Sequence, residues 1–177
     1  MTAPDAGWPV ARLDRIARLR LLAGALPGAV LRERLVDAPL AEVWGFVGDL
    51  EASVPVFDRA VTRVRVVRRD GDRLRVHAWG RRLPRPLAYE VVLRTGWCWM
   101  ASTPTVHVVG MAAEAEGDRT RFAHLEGLAA PGPRAGRAAL RPLLALSRPL
   151  TARHVAHDVE GIARAVAARR AGGAGHV

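Results

Sequence analysis

The chain has 177 residues, 50% of them hydrophobic, which suits one domain with a sizeable core. Its single cysteine, Cys98, excludes an internal disulfide and a cysteine-built zinc site and points to a reducing, cytoplasmic setting. The net charge of +10 rests on arginine alone, lysine being absent; it is spread along the chain with no helix-turn-helix and no glycine-rich phosphate loop, so it reads as compositional bias and no specific nucleic-acid partner is expected.

No apolar run reaches the length of a membrane span. Leu21 to Leu31 is interrupted by Gly24, Pro27 and Gly28 and is not expected to be a signal sequence. Residues 1–8 are expected to be frayed. Pro9 opens a helical pattern that ends at Pro27-Gly28, with Leu13, Ile16, Leu19, Leu22 and Leu26 on one side and Arg12, Arg15 and Arg18 on another. Two readings stay open for this basic amphipathic helix over residues 9–26. It packs on the outside of the domain or against a second copy in a homodimer, or it makes a peripheral membrane contact.

Val30 to Val36 predicts a strand, closed by Asp37-Ala38-Pro39. A helix follows from Leu40, with Val43, Trp44 and Val47 as its apolar face, and stops at Gly48-Asp49. Leu50 to Phe57 contains Pro55 and suits a second short helix or a turn. Strands at Val61 to Arg69 and Arg73 to Gly80 flank Asp70-Gly71-Asp72. Pairing Val66 with Val76 and Val64 with Ala78 on one face predicts an odd-length loop of three or five residues. The same register sets Arg65 beside His77 and Arg63 beside Trp79 outside, with His77 facing solvent.

After a basic loop from Gly80 to Pro86, Leu87 to Thr95 predicts a strand with Tyr89, Val91 and Leu93 on its apolar face. Thr95-Gly96 leads into Trp97-Cys98-Trp99-Met100, whose parity stays open: a two-residue turn points Cys98 and Met100 inward, a bulge points Trp97 and Trp99 inward. The last hairpin, Val106 to Glu116 and Arg119 to Leu128 around Gly117-Asp118, sets Glu116 against Arg119 and Glu114 against Arg121. Its inner face then carries His107, Val109, Met111, Ala113 and Ala115 beside Thr120, Phe122, His124, Glu126 and Leu128. A linker from Ala129 to Gly136 leads to a long helix, Arg137 to Arg169, striped by Leu140, Leu144, Ser147, Thr151, Val155, Val159, Ile162 and Val166. The expected architecture is α+β: a curved antiparallel sheet of about seven strands wrapped on the long C-terminal helix, with a cavity between the layers.

Three stretches, VLRERLVDAPLAEVWGFVGDLEASVP, GDRTRFAHLEGL and HVAHDVEGIARAV, give the chain from about Val30 to Ala168 a pattern that resembles the START-like helix-grip superfamily (SRPBCC), in its polyketide cyclase/dehydrase-like branch. The resemblance implies a helix-grip domain over 29–170, preceded by an extension over 1–28 and followed by a flexible tail over 171–177. It also implies a hydrophobic small molecule as partner. Because the superfamily holds aromatase/cyclases, lipid and quinone carriers, hormone receptors and proteins with no assigned activity, no catalytic set carries over.

His124 and Glu126 lie two apart on one strand, so both face the helix within about 7 Å of each other. Polar groups there cost about 1 to 3 kcal/mol each unless paired. One reading pairs Glu126 with an arginine or the backbone and His124 with Thr151 or His154. The other makes His124 and Glu126 a proton-transfer pair, with Tyr89 as a second donor. Around them His107, Val109, Met111, Phe122, Trp99, Met100, Trp44, Thr151 and Val155 are core or ligand wall. His107, His124 and Glu126 suit a metal by type but lack a spacing signature, and His154, His157 and Glu160 read as an exposed helix edge, so neither metal nor cofactor is expected. The leading function is binding of a hydrophobic or aromatic small molecule, with cyclase, aromatase or dehydratase chemistry. The rival is a lipid or quinone carrier docking at a membrane, and a protein- or RNA-binding module ranks last.

Overall fold

The computed structural model describes residues 13–26, 28–81, 83–128 and 134–173, without the side chains of 134–145 and 173. The expected fraying of residues 1–8, the helix start at Pro9, most of the linker, the stripe residues Leu140 and Leu144 and the end of the tail lie outside the described residues. Helix α1 (Arg15–Ala25) precedes strand β1 (Val30–Val36) and the short helices α2 (Leu40–Val47) and α3 (Leu50–Phe57). Six strands follow: β2 (Val61–Asp70), β3 (Arg73–Gly80), β4 (Leu87–Arg94), β5 (Trp97–Thr103), β6 (His107–Glu116) and β7 (Arg119–Leu128). The chain closes with α4 (Arg134–Gly173), which starts inside the expected linker and runs past Arg169 into the expected tail.

All seven strands form one antiparallel sheet in the order β1-β7-β6-β5-β4-β3-β2. The first strand thus returns to pair with the last, and the concave face receives α2, α3 and α4. Val159, Ile162 and Val166 of the α4 stripe join the main core with Phe122, Met111 and Val76. Gly161 lets α4 approach α3: a Cβ there would stand 3.2 Å from Phe57 Cβ and 3.3 Å from its Cα. Gly161→Val is expected to cost about 1 to 3 kcal/mol by overpacking this contact, read as a lowered denaturation midpoint.

The β2–β3 register is the expected one, with Val66 opposite Val76 and Val64 opposite Ala78. The loop is not. Only Gly71 and Asp72 connect the strands, with Gly71 at φ +55°, and the parity is restored by an irregularity at Val67, between the pairs Val66/Val76 and Arg68/Arg75. A bulge does inside the strand what a longer loop would do at its end. Arg63 lies over Trp79 at 3.9 Å, and His77, expected in solvent, is half-buried edge-on against the same ring.

The turn at Thr95-Gly96 has two residues, so Cys98 and Met100 point inward and Trp97 and Trp99 lie on the opposite face. That face is apolar as well, because α1 covers it. Ile16 and Leu19 pack with Val108, Ala112, Ala123 and Leu125 under the flanking Trp97 and Trp99. Asp14 caps the helix by accepting from Ala17 N, and Arg15 grips Glu114 through its backbone N–H and guanidinium, both at 2.8 Å. Glu114 therefore turns to α1 although Arg121 stands opposite it, and Arg121 binds Glu116 instead. The apolar side of α1 faces the sheet, leaving Leu13 and Leu21 exposed.

Candidate functional site

Alternation along β6 and β7 brings His107, Val109, Met111, His124 and Glu126 to the concave face, as their spacing predicts. There a cavity of about 430 Å³ opens between the sheet, α3 and α4. Its walls are mostly apolar, from Val64 and Ala78 on β2 and β3, through Tyr89 and Met100, to Val109 and Met111. Its polar groups gather in one cluster around Glu126.

Glu126 is 6% exposed and His124 1%. Glu126 Oε1 stands 3.5 Å from His124 Nε2 and 3.5 Å from His154 Nε2, and Oε2 stands 3.9 Å from His107 Nε2. On the far side of His107, Nδ1 is 2.9 Å from the Tyr89 hydroxyl. When the hydroxyl donates to Nδ1, the ring proton sits on Nε2, towards the carboxylate. Ser102 holds His107 in place. Its Oγ donates to Pro104 O and accepts from the N–H groups of Val106 and His107, fixing the turn from which β6 starts.

Two further carboxylates complete the cluster. Asp58, at the C-terminal end of α3, accepts from Ala60 N at 2.7 Å and places Oδ1 3.5 Å from His154 Nε2. Asp158, one helical turn beyond His154, places Oδ2 3.4 Å from the same nitrogen. Asp158 is wholly buried, and neither of its oxygens accepts a hydrogen bond.

The charges respond to each other. Burial pushes the Glu126 carboxyl up, but His107, His124 and His154 outweigh it and hold Glu126 well below the usual carboxylate range. The neighbouring Glu126 carboxylate, with Asp158 and Asp58 adding to it against desolvation, raises His154 to about 9, so it is cationic at neutral pH. Burial raises Asp158 to about 7 against the pull of His124 and His154. Asp58 also rises, chiefly through burial. Burial, with Glu126 and Asp58 nearby, pushes the Tyr89 hydroxyl up to about 12, which keeps it a proton donor.

Of the residues expected at the site, His124, Glu126, Tyr89, His107, Val109, Met111 and Met100 converge on the cavity. Trp99 does not, since the two-residue turn sends it to the other face, under α1. Trp44 and Phe122 are buried in the main core beside the cavity rather than lining it. Val155 is wholly buried without lining the cavity, and Thr151 turns its hydroxyl back to Ser147 O at 3.2 Å. His154, His157 and Glu160 separate: His154 faces the cavity while Glu160 pairs with Arg34. Among the described residues neither an arginine nor Thr151 satisfies the pair; Glu126 is met by imidazoles.

No protein-family model and no curated protein matches the chain. Solved structures do. TTHA0849 from Thermus thermophilus superposes with a TM-score of 0.59 at 22% identity, over 80% of this chain and 98% of that one. The Zhui aromatase/cyclase from Streptomyces sp. R1128 gives 0.53 at 13% identity, over 80% and 94%. The chain shares their helix-grip fold. The di-domain aromatase/cyclase StfQ from the steffimycin biosynthetic pathway gives 0.61 at 13% identity, with 88% of this chain matched to 55% of that one. At these identities the likeness is one of fold, a strand layer gripping a terminal helix, and the chemistry of this helix-grip domain has to be argued from its own side chains. Asp58 and Asp158 were not among the expected site residues. Asp158 had a legible signal, standing three residues after Val155 and four before Ile162, inside the apolar stripe. Asp58 had none.

Proposed function

We propose that the protein binds a hydrophobic or aromatic small molecule in the cavity and performs acid-base chemistry on it of the kind used by cyclases, aromatases and dehydratases. The observation that carries this reading is the gathering of three imidazoles and a tyrosine hydroxyl around one buried carboxylate, at the edge of a chamber otherwise walled by apolar side chains. A carrier for a lipid or quinone would use the same walls, but it has no need of the cluster, and the helix assigned to docking lays its buried residues on the sheet.

Each group has a role. The imidazole of His124 takes a proton from a carbon activated by a neighbouring carbonyl, and Glu126 stabilises the imidazolium that forms. Tyr89 delivers a proton to the carbonyl oxygen, so a C–H bond breaks as an O–H bond forms. Apolar walls exclude water and strengthen these interactions. The test follows solvent deuterium entering the activated carbon of an aryl β-diketone by NMR. His124→Ala and Glu126→Gln are each expected to lower the catalysed exchange by about 100-fold or more, with the fold intact by circular dichroism. Unchanged exchange in both variants would discard the chemistry.

A further inference from the structure

We propose that Asp58, Glu126, His154 and Asp158 form a site for one divalent transition-metal ion, with Zn²⁺ the best fit, beside the cavity. This goes beyond the reading above and does not rest on the organic ligand; the ion takes the place of the proton on His154 Nε2, which binding releases.

The donor atoms are spaced as ligands of one ion would be. Asp58 Oδ1, Glu126 Oε1 and Asp158 Oδ2 stand 3.5, 3.5 and 3.4 Å from His154 Nε2, and all four donors lie within 4.8 Å of one another. Charge-assisted hydrogen bonds would draw these atoms to about 2.7 to 2.9 Å. Bonds of about 2.0 to 2.1 Å to zinc, by contrast, put tetrahedral neighbours about 3.3 to 3.4 Å apart. The three edges that meet at His154, at 3.4 to 3.5 Å, lie close to that length. The donors stand near one another without closing to hydrogen-bond distance.

Buried polar groups beside these donors are left without partners. Asp158 is wholly buried, and both of its oxygens lack a hydrogen bond. His124, outside the four donors, is 99% enclosed, has no hydrogen bond at either ring nitrogen, and aims Nε2 at Glu126 Oε1 from 3.5 Å. Native interiors rarely leave such groups unmatched. A cation answers Asp158 directly and leaves His124 to bond a metal-held carboxylate or water.

The scaffold suits the task. The donors come from the end of α3, a strand of the sheet interior and two positions one turn apart on α4, the i, i+4 spacing that presents two ligands to one ion. Three carboxylates with one imidazole fit Zn²⁺, Mn²⁺ or Fe²⁺, and the imidazole disfavours Mg²⁺ and Ca²⁺. Asp58, Glu126 and His154 line the cavity, which gives the ion its route in. The set differs from the His107, His124 and Glu126 triad considered from sequence, in which His107 commits Nδ1 to Tyr89.

The purified full chain, stripped with a chelator, is titrated with Zn²⁺ by calorimetry and with Co²⁺ as an optical probe. About one Zn²⁺ per chain is expected, with a raised unfolding temperature and the intense visible bands of four-coordinate Co²⁺. Asp158→Asn and His154→Ala are each expected to weaken Zn²⁺ binding by more than about 100-fold, since loss of an outer partner alone costs about 10- to 100-fold. His157→Ala, on the same helix but outside the cluster, is expected to bind as the parent does. Absence of saturable binding by Zn²⁺, Mn²⁺ and Fe²⁺ overturns the proposal, as does Zn²⁺ binding unchanged in Asp158→Asn. Should His154→Ala fail to fold, Asp158→Asn decides alone, because its amide keeps the shape of the carboxylate.

Discussion

Glu126→Gln is expected to bring the titration of His154 down from about 9 towards its ordinary value of 6.5, followed by NMR of the ring protons. Glu126 is the largest cause of that rise, so no other single substitution should move it as far. Stability changes with it. His154 binds its proton more tightly folded than unfolded, so its contribution is complete below pH 6.5 and disappears as pH rises through about 9. The parent protein should therefore exceed the variant in stability most near pH 5 to 6 and converge on it above pH 9. The difference is expected to be about 1 to 3 kcal/mol. It falls short of the roughly 3 to 5 kcal/mol of a stranded buried charge, because a partly exposed imidazole without its partner can release its proton. A difference that grows with pH would contradict the assignment.

Leu19→Ala is expected to cost about 2 to 5 kcal/mol, the range for removing a leucine from a site that cannot collapse. Leu19 is wholly buried, and Gly110 on β6 leaves the room for it: a Cβ there would stand 2.5 Å from Leu19 Cδ1. Chemical denaturation should show a lower midpoint at unchanged slope. A loss below about 0.5 kcal/mol would mean that α1 rests on the sheet without being needed, and would return its apolar face to the question of lipid contact.

Most of the fold was legible because the sheet alternates and its turns are marked. Val30 to Val36, the pairs Val66/Val76 and Glu116/Arg119, and the apolar stripe of α4 all follow from period and turn chemistry. Two features were hidden for physical reasons. A bulge at Val67 and an odd loop give the same facing residues, so alternation cannot tell them apart. Trp97 and Trp99 could not be assigned a face, because α1 makes the outer face apolar too and both parities look buried. At the site, the inward pair His124 and Glu126 follows from strand parity, while Asp58 owes its place to a helix end packed against α4, a tertiary contact that no local pattern records. His154 was read as an exposed edge because arginine flanks it at position 153. The stripe on α4 is wide enough to include His154, and its charge is met within the cavity by Glu126 and Asp158.

The chamber between sheet and helix is expected to receive an apolar molecule. Titration of the parent protein and Ala78→Trp with an environment-sensitive aromatic dye, such as anilinonaphthalene sulfonate, tests it most directly. Ala78 lies on the cavity wall, and an indole there would occupy much of the 430 Å³. Saturable binding near one dye per chain is expected in the parent, and its loss in a folded Ala78→Trp. Equal binding by both proteins, or none by the parent, would contradict it.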